Sequence, residues 1–186
     1  MNEPTIPVSE PSSRAFKFCP RCGSPPTSTN GANPFCCGSC DFTHYFSPIT
    51  AVGSIIADPQ SRVLLIVRGR DPGKGQFGLP GGFVDPGETL ESACRREMRE
   101  ETNLTATSMQ YLTSFPNTYD FRGVISPVTD AFFVCRVESF EPLQAQQGEV
   151  TSCLFVHPEQ THLDNMAFAS NRLALEFYLS READFA

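Results

Sequence analysis

Three features that mark common classes of protein are missing from this chain of 186 residues. No apolar run approaches the roughly 18 residues that a membrane-spanning helix needs, so no membrane partner is expected. The first residues contain no basic segment followed by an apolar run, which favours a cytoplasmic location over secretion. Lys and Arg number 14 against 21 Asp and Glu, giving a net charge of −7. Because nucleic-acid binding depends on clustered positive charge, no nucleic-acid partner is expected either.

The remaining composition is that of one globular domain with a small module attached. The chain is 40% hydrophobic and 19% charged, which suits a domain with a sizeable core. Prolines among Ser, Thr and Glu near the start predict a disordered tail over residues 1–15. The cysteine-rich stretch over 16–46 is predicted to be the small module, and 47–186 the main domain.

Four of the eight cysteines form two Cys-x-x-Cys pairs, separated by 14 residues. The pairs are Cys19 with Cys22 and Cys37 with Cys40. Two such turns complete a tetrahedral sulfur site for a structural Zn²⁺, which makes 16–46 a zinc ribbon. Disulfides or redox thiols are the alternatives, and disulfides require an oxidising compartment. With so few basic residues nearby, a structural or dimer-forming role suits this ribbon.

Hydrophobic patterning over the rest of the chain predicts alternating strands and helices. Interleaving of this kind predicts an α/β domain in which a mixed β-sheet is sandwiched between α-helices. The predicted strands are 49–57, 63–67, 109–115, 131–137 and 151–156, and the predicted helices are 89–102 and 170–183.

The first predicted helix carries three carboxylates on one face. Glu97, Glu100 and Glu101 stand at i, i+3 and i+4, a spacing at which like charges repel. A cation is therefore expected among them, and oxygen ligands favour Mg²⁺ or Mn²⁺, which complete their shells with water and phosphate. The alternative is a solvated helix face whose glutamates are neutralised by neighbouring arginines such as Arg96.

The order of residues around this helix resembles the Nudix box. Gly82 is followed after five residues by Glu88, and after seven more by the run Arg96-Glu-Met-Arg-Glu-Glu101. The only departure is Asn103, where the family has glycine. That position ends the helix and needs a left-handed backbone, for which Asn is the next-best residue.

The resemblance implies a Nudix fold and a metal-dependent hydrolase of acid anhydrides. It implies that Glu97, Glu100, Glu101 and the backbone of Gly81 bind the divalent ion. It implies that Arg96 and Glu88 form a salt bridge that orients the loop against the helix. Water would attack a pyrophosphate, releasing a nucleoside monophosphate and a phosphorylated product.

The substrate is less sharply indicated by the sequence. A zinc ribbon before a Nudix domain is similar to the bacterial and plant pyrophosphatases that cleave ADP-ribose, FAD or NADH. The chain has no tryptophan, which the signature of NADH pyrophosphatases contains, so strong NADH specificity is not expected. Candidate substrate contacts are Arg68, Arg70, Phe115, Tyr119 and Glu149, the last also a candidate general base. The alternatives are a non-catalytic Nudix nucleotide sensor and a zinc-ribbon interaction module, and a homodimer is compatible with the family.

Overall fold

The computed structural model describes residues 10–25 and 31–185 of the chain. These residues form two compact units. The first comprises the described residues up to Ile49 together with Thr118–Val128, and the second comprises Thr50–Asn117 and the chain from Thr129 onward.

Each predicted strand and both predicted helices overlap an element of the structure. In chain order the elements are β1 (Glu10–Pro11), α1 (Ser12–Ala15), β2 (Phe35–Cys36), β3 (Thr43–His44), β4 (Ile49–Ile55), β5 (Val63–Arg68), β6 (Phe77–Gly78), β7 (Gly81–Phe83), α2 (Leu90–Thr102), β8 (Ala106–Phe121), β9 (Val124–Val137), β10 (Val150–Val156), α3 (Gln160–Asp164) and α4 (Ala169–Leu179), followed by a 3₁₀ turn at Glu182–Phe185.

The first unit has a small core built around cysteines. Strands β2 and β3 pair antiparallel, and the buried apolar side chains beside them are Cys19, Phe35 and Cys37. A core this small contributes little hydrophobic stabilisation, so the unit needs another source of stability.

Part of the predicted disordered tail is ordered. Residues 1–9 of that tail lie outside the described residues, but Glu10–Ala15 form β1 and α1, so the prediction is wrong for this part. The reason is a partner distant in sequence: β1 pairs in parallel with the start of β9, and the Glu10 N–H donates to the Gly123 carbonyl over 2.9 Å.

The second unit contains two sheets. In one sheet β9 pairs with both β4 and β8, and β7 pairs antiparallel with β4. In the other sheet β5 lies between β10 and β6, and both pairings are antiparallel.

Alternating side chains of the central strands divide the second unit into two cores. Leu64 packs in one core with Ala93, Cys94 and Met98 of α2, whereas its neighbours Val63 and Leu65 pack in the other. The second core contains three buried residues of α4, namely Ala174, Leu175 and Tyr178. Strands with a helix on each face confirm the predicted α/β class and explain why the apolar run of β5 is buried on both faces.

The structure differs from the sequence prediction mainly in lengths. Strands β8 and β9 are far longer than predicted, and the short helix α3 was not predicted. The final helix ends at Leu179 rather than near residue 183. Among the described residues, no helix is long and apolar enough to cross a membrane.

Candidate active site

Helix α2 has well-defined caps at both ends. Thr89 is the N-cap, and it exchanges hydrogen bonds with Ser92 in a capping box. At the other end Asn103 adopts the left-handed conformation with φ of 62°. The prediction that Asn can replace glycine at this position is therefore confirmed, and both ends of the acidic helix are fixed.

Glu101 is the most deeply buried carboxylate of the helix. Its side chain accepts a hydrogen bond of 2.8 Å from the Gly81 N–H, and the residue is only 6% exposed. Burial raises the pKa of Glu101 to about 8, and the carboxylates of Glu97 and Glu149 add to the effect, while the Gly81 N–H and Arg68 oppose it. A buried carboxylate of this kind is stabilised by a bound cation.

Arg96 connects the helix to the loop that precedes it. Its guanidinium binds both carboxylate oxygens of Glu88 at 2.9 and 2.8 Å and donates to the Phe83 carbonyl at 3.0 Å. The salt bridge that the family resemblance implies is therefore present. The same guanidinium also contacts Glu97 at 2.7 Å and Glu100 at 3.3 Å. Hydrogen bonds from Arg96 lower the pKa of Glu88 to about 2.

The three box glutamates share a helix face without converging on one point. Within residues 10–25 and 31–185, the only group of three or more Cys, His, Asp or Glu ligand atoms gathered within 4.8 Å is that of the four ribbon cysteines. Glu97 and Glu100 are held by Arg96, and Glu101 is held by the Gly81 N–H. Arginine, one of the two predicted neutralising groups, therefore pairs with Glu97 and Glu100, whereas Glu101 lies against backbone.

Two glycines beside Glu101 leave no free space for a side chain in the present packing. A Cβ on Gly81 would lie 2.0 Å from the Val52 carbonyl oxygen, and a Cβ on Gly82 would lie 2.5 Å from a carboxylate oxygen of Glu97. The loop backbone thus lies directly against both glutamates. Carboxylate oxygens beside the half-buried backbone of Gly81 and Gly82 form the oxygen-rich donor set that Mg²⁺ or Mn²⁺ prefers, so these residues fit such an ion.

We expect the two alanine substitutions to have different effects. Gly81→Ala meets rigid backbone and should lower the free energy of unfolding by about 3 kcal/mol or more. Gly82→Ala meets the movable end of Glu97 and should leave the melting temperature nearly unchanged while weakening Mn²⁺ binding. Thermal unfolding and Mn²⁺ titration of both variants measure these effects, and equal melting temperatures would contradict the packing argument.

Two of the candidate substrate residues, Arg68 and Glu149, act electrostatically on Glu101. Arg68 donates to the Pro72 carbonyl at 2.8 Å, and its guanidinium lies 4.8 Å from the ring centre of Phe168. The positive charge of Arg68 opposes the rise in the pKa of Glu101. Phe168 was not predicted, because no sequence pattern links it to Arg68.

Glu149 is also brought to this site. Its carboxylate forms a 2.7 Å salt bridge with Arg70. Burial raises the pKa of Glu97, and the charge of Glu149 contributes in the same direction, as it does for Glu101. Three acidic side chains from two distant parts of the sequence therefore share one region.

The two aromatic candidates are placed elsewhere. Phe115 packs against the core that contains α4. Tyr119 belongs to the first unit, where its ring stacks on Phe121 with centres 6.1 Å apart. Neither contact involves the box glutamates.

The four predicted zinc ligands are brought together in the first unit. The sulfur atoms of Cys19 and Cys40 are 3.8 Å apart, and those of Cys22 and Cys37 are 3.6 Å apart. Four sulfurs at a zinc–sulfur distance of about 2.3 Å in a tetrahedron are separated by about 3.8 Å. Hydrogen bonds from Ser24 lower the pKa of Cys22 to about 6, which favours its thiolate, whereas burial and hydrogen bonds with the other three cysteines raise the pKa of Cys40 to about 12. The residues present fit Zn²⁺.

Comparisons with known proteins agree with this geometry. The model of the NUDIX domain matches residues 47–177. An ADP-ribose pyrophosphatase of Methanocaldococcus jannaschii is 52% identical over 60 residues, covering 32% of this chain and 35% of the relative. A NAD-capped RNA hydrolase NudC of Vibrio vulnificus is 30% identical over 103 residues, covering 55% of this chain and 39% of the relative. The chain thus matches well under half the length of these curated relatives.

Solved structures show the same fold. A NUDIX hydrolase from Nitrosomonas europaea superposes with a TM-score of 0.66 at 22% identity, covering 91% of this chain and 93% of that one. The NUDIX domain of Shewanella oneidensis NrtR, complexed with ADP ribose, gives a TM-score of 0.58 at 27% identity, covering 73% of this chain and 88% of that one.

Proposed function

This chain belongs to the NUDIX family, and from that premise we propose that it hydrolyses the pyrophosphate bond of a nucleoside diphosphate linked to another moiety. The observation that carries the proposal is the buried carboxylate of Glu101, held against the Gly81 backbone beside Glu97. A site with buried negative charge and raised pKa values binds a divalent cation, and the cation in turn attracts phosphate.

Each residue of the site has a distinct part in this proposal. Glu97, Glu100, Glu101 and the Gly81 carbonyl would hold Mg²⁺ or Mn²⁺, which when bound polarises the pyrophosphate and lowers the pKa of water. The Arg96–Glu88 salt bridge keeps the loop in register with the helix. These two residues act by fixing the metal site, which requires precision within a fraction of an ångström.

Charged residues outside the box are suited to bind the substrate phosphates and to accept a proton from the attacking water. Arg68, fixed by Pro72 and Phe168, presents a guanidinium that can bind phosphate oxygens in a bidentate manner. Glu149 is the candidate base, because its carboxylate acts on both Glu97 and Glu101. Arg70 holds Glu149 in place in the absence of substrate and can contact phosphate once substrate is bound.

ADP-ribose or a related dinucleotide such as FAD is the proposed substrate. Support comes from the archaeal relative named ADP-ribose pyrophosphatase and from the ADP-ribose complex of a structural neighbour. The relatives named NAD-capped RNA hydrolase favour a second candidate, an NAD-type pyrophosphate on a small molecule or an RNA end. The net charge of −7 favours the small molecule, because RNA binding draws on positive charge. A homodimer and a cytoplasmic location remain predictions.

The proposal is tested by incubating the purified chain with Mg²⁺ or Mn²⁺ and a panel of candidate substrates. The panel contains ADP-ribose, FAD, NAD, NADH, diadenosine polyphosphates, nucleoside triphosphates and a short NAD-capped RNA, with products identified by mass. We expect ADP-ribose or one of the dinucleotides to yield AMP and a phosphorylated partner. Tight binding of a ligand without any turnover would favour the sensor, and turnover of the capped RNA alone would overturn the small-molecule assignment.

A further inference from the structure

The segment Phe77–Gly81 carries the chain from one sheet of the second unit to the other. Phe77 and Gly78 pair with β5 in the three-stranded sheet, whereas Gly81 pairs with β4 in the other sheet. Leu79 and Pro80 lie between the two pairings and are both buried. The Pro80 carbonyl is bonded by β4, so among these two residues the Leu79 N–H is the buried donor that needs an acceptor outside the strand pairings.

Residues between 165 and 171 provide hydrogen-bond partners for the backbone of Phe77 and Leu79. The Phe77 N–H donates to the Asn165 carbonyl at 3.0 Å, and the Ala167 N–H donates to the Phe77 carbonyl at 2.8 Å. The Leu79 N–H donates to the side-chain oxygen Oδ1 of Asn171 at 2.9 Å. Asn171 thus supplies through its side chain the acceptor that a strand would otherwise provide.

The other backbone contacts lead directly to the candidate metal site. The Pro80 carbonyl accepts from the backbone N–H of Ser54 at 2.8 Å and from its hydroxyl at 3.0 Å. The next N–H, that of Gly81, donates to Glu101. Asn171 therefore holds the chain two residues before the glycine whose backbone meets the buried carboxylate.

The first turn of α4, on which Asn171 stands, is itself anchored. The hydroxyl of Ser170, which is fully buried, donates to the carboxylate of Asp130 on β9. The side-chain amide of Asn117 on β8 donates to the same oxygen at 2.9 Å. A helix turn tied in this way to two strands provides a fixed point rather than a movable one.

We propose that Asn171 is a positioning residue for the metal-binding glycine loop. It sets the path of Leu79–Pro80, and through that path the position of the Gly81 backbone relative to Glu101. The inference rests on the proposed function and goes beyond it, since Asn171 lies 70 residues after the box and touches none of its side chains in the contacts above. Groups that orient the first shell of a metal site commonly change metal affinity or activity by about 10–100-fold when removed.

The test compares three variants of the full chain. Asn171→Ala removes the acceptor, whereas Asn171→Asp keeps an oxygen at the same place and suits the N-terminal turn of a helix. Asn165→Ala is the matched control, because Asn165 contributes to the same segment through its backbone carbonyl and its side chain is exposed. Mn²⁺ affinity is measured by electron paramagnetic resonance, turnover of the substrate identified in the panel is separated into kcat and KM, and folding is followed by thermal unfolding.

At a temperature where the variant is fully folded, we expect Asn171→Ala to lower the affinity for Mn²⁺ by about 10–100-fold and to lower kcat by a similar factor. Asn171→Asp and Asn165→Ala should remain within about threefold of the natural chain, since both keep the Leu79 hydrogen bond. Equal Mn²⁺ affinity in Asn171→Ala and Asn165→Ala would overturn the positioning role alone. Absence of Mn²⁺ binding that depends on Glu101 in the natural chain would instead overturn the proposed function, and the positioning role with it.

Discussion

Replacing Glu101 with glutamine is expected to reduce turnover by roughly a thousandfold, equivalent to about 4 kcal/mol of lost charge stabilisation. Glutamine keeps the shape of the side chain and an oxygen that can accept the Gly81 hydrogen bond. It removes the charge that a divalent ion requires. The measurement is steady-state hydrolysis of the substrate found in the panel, with Mg²⁺ and Mn²⁺ varied separately.

The same substitution is expected to stabilise the fold when no divalent ion is present. Because burial raises the pKa of Glu101 to about 8, its contribution to stability is fully present below its ordinary range near pH 4.5 and is lost as the pH rises through about 8. Glutamine has no charge to bury. In buffer without Mg²⁺ or Mn²⁺, the variant should therefore melt higher than the natural chain at pH 9, by at least about 2–4 °C, and the difference should shrink towards pH 5.

Glu91→Gln provides a matched control on the same helix. Glu91 lies in the first turn of α2 and is exposed, so its loss should change neither turnover nor the pH dependence of melting appreciably. Near-normal turnover in Glu101→Gln would contradict the metal-ligand assignment. Loss of turnover together with a lower melting temperature at every pH would indicate a structural role for Glu101 instead.

Replacing Cys19 with serine is expected to release zinc and unfold the first unit. Cys19 is both a predicted ligand and one of the three buried apolar residues of that unit's core. In small zinc modules the metal contributes about 10 kcal/mol or more to folding. Zinc content by atomic absorption should fall, and limited proteolysis should cleave within 16–46 while the natural chain resists.

Cys36→Ser is the control for this experiment. Cys36 neighbours Cys37, is exposed, and is not among the four clustered sulfurs. Its substitution should leave zinc content and protease resistance unchanged. If Cys19→Ser retained the zinc of the natural chain, the four cysteines would not be its ligands.

Local features of the candidate site could be predicted because they depend on residues close in sequence. The helix from Thr89, the left-handed Asn103 and the common face of Glu97, Glu100 and Glu101 follow from spacing and backbone preference alone. The ribbon cysteines are similar, since each Cys-x-x-Cys turn places two thiols together before the rest of the chain folds.

Contacts between distant segments could not be predicted in this way. The ordered strand at Glu10–Pro11, the length of β8 and the packing of Phe115 each depend on a partner far away in the chain. Propensity is weak in such places because the partner decides whether a segment pairs or packs.

The sequence by itself determined the family resemblance, the α/β class, the acidic helix face and the four-cysteine cluster, because periodicity and spacing encode them locally. Only the tertiary structure decided which glutamate is buried, that Arg96 pairs with Glu97 and Glu100, and that Asn171 bonds the Leu79 backbone. Burial and hydrogen-bond partners depend on how the sheets and helices pack, and that packing joins residues that no local pattern connects.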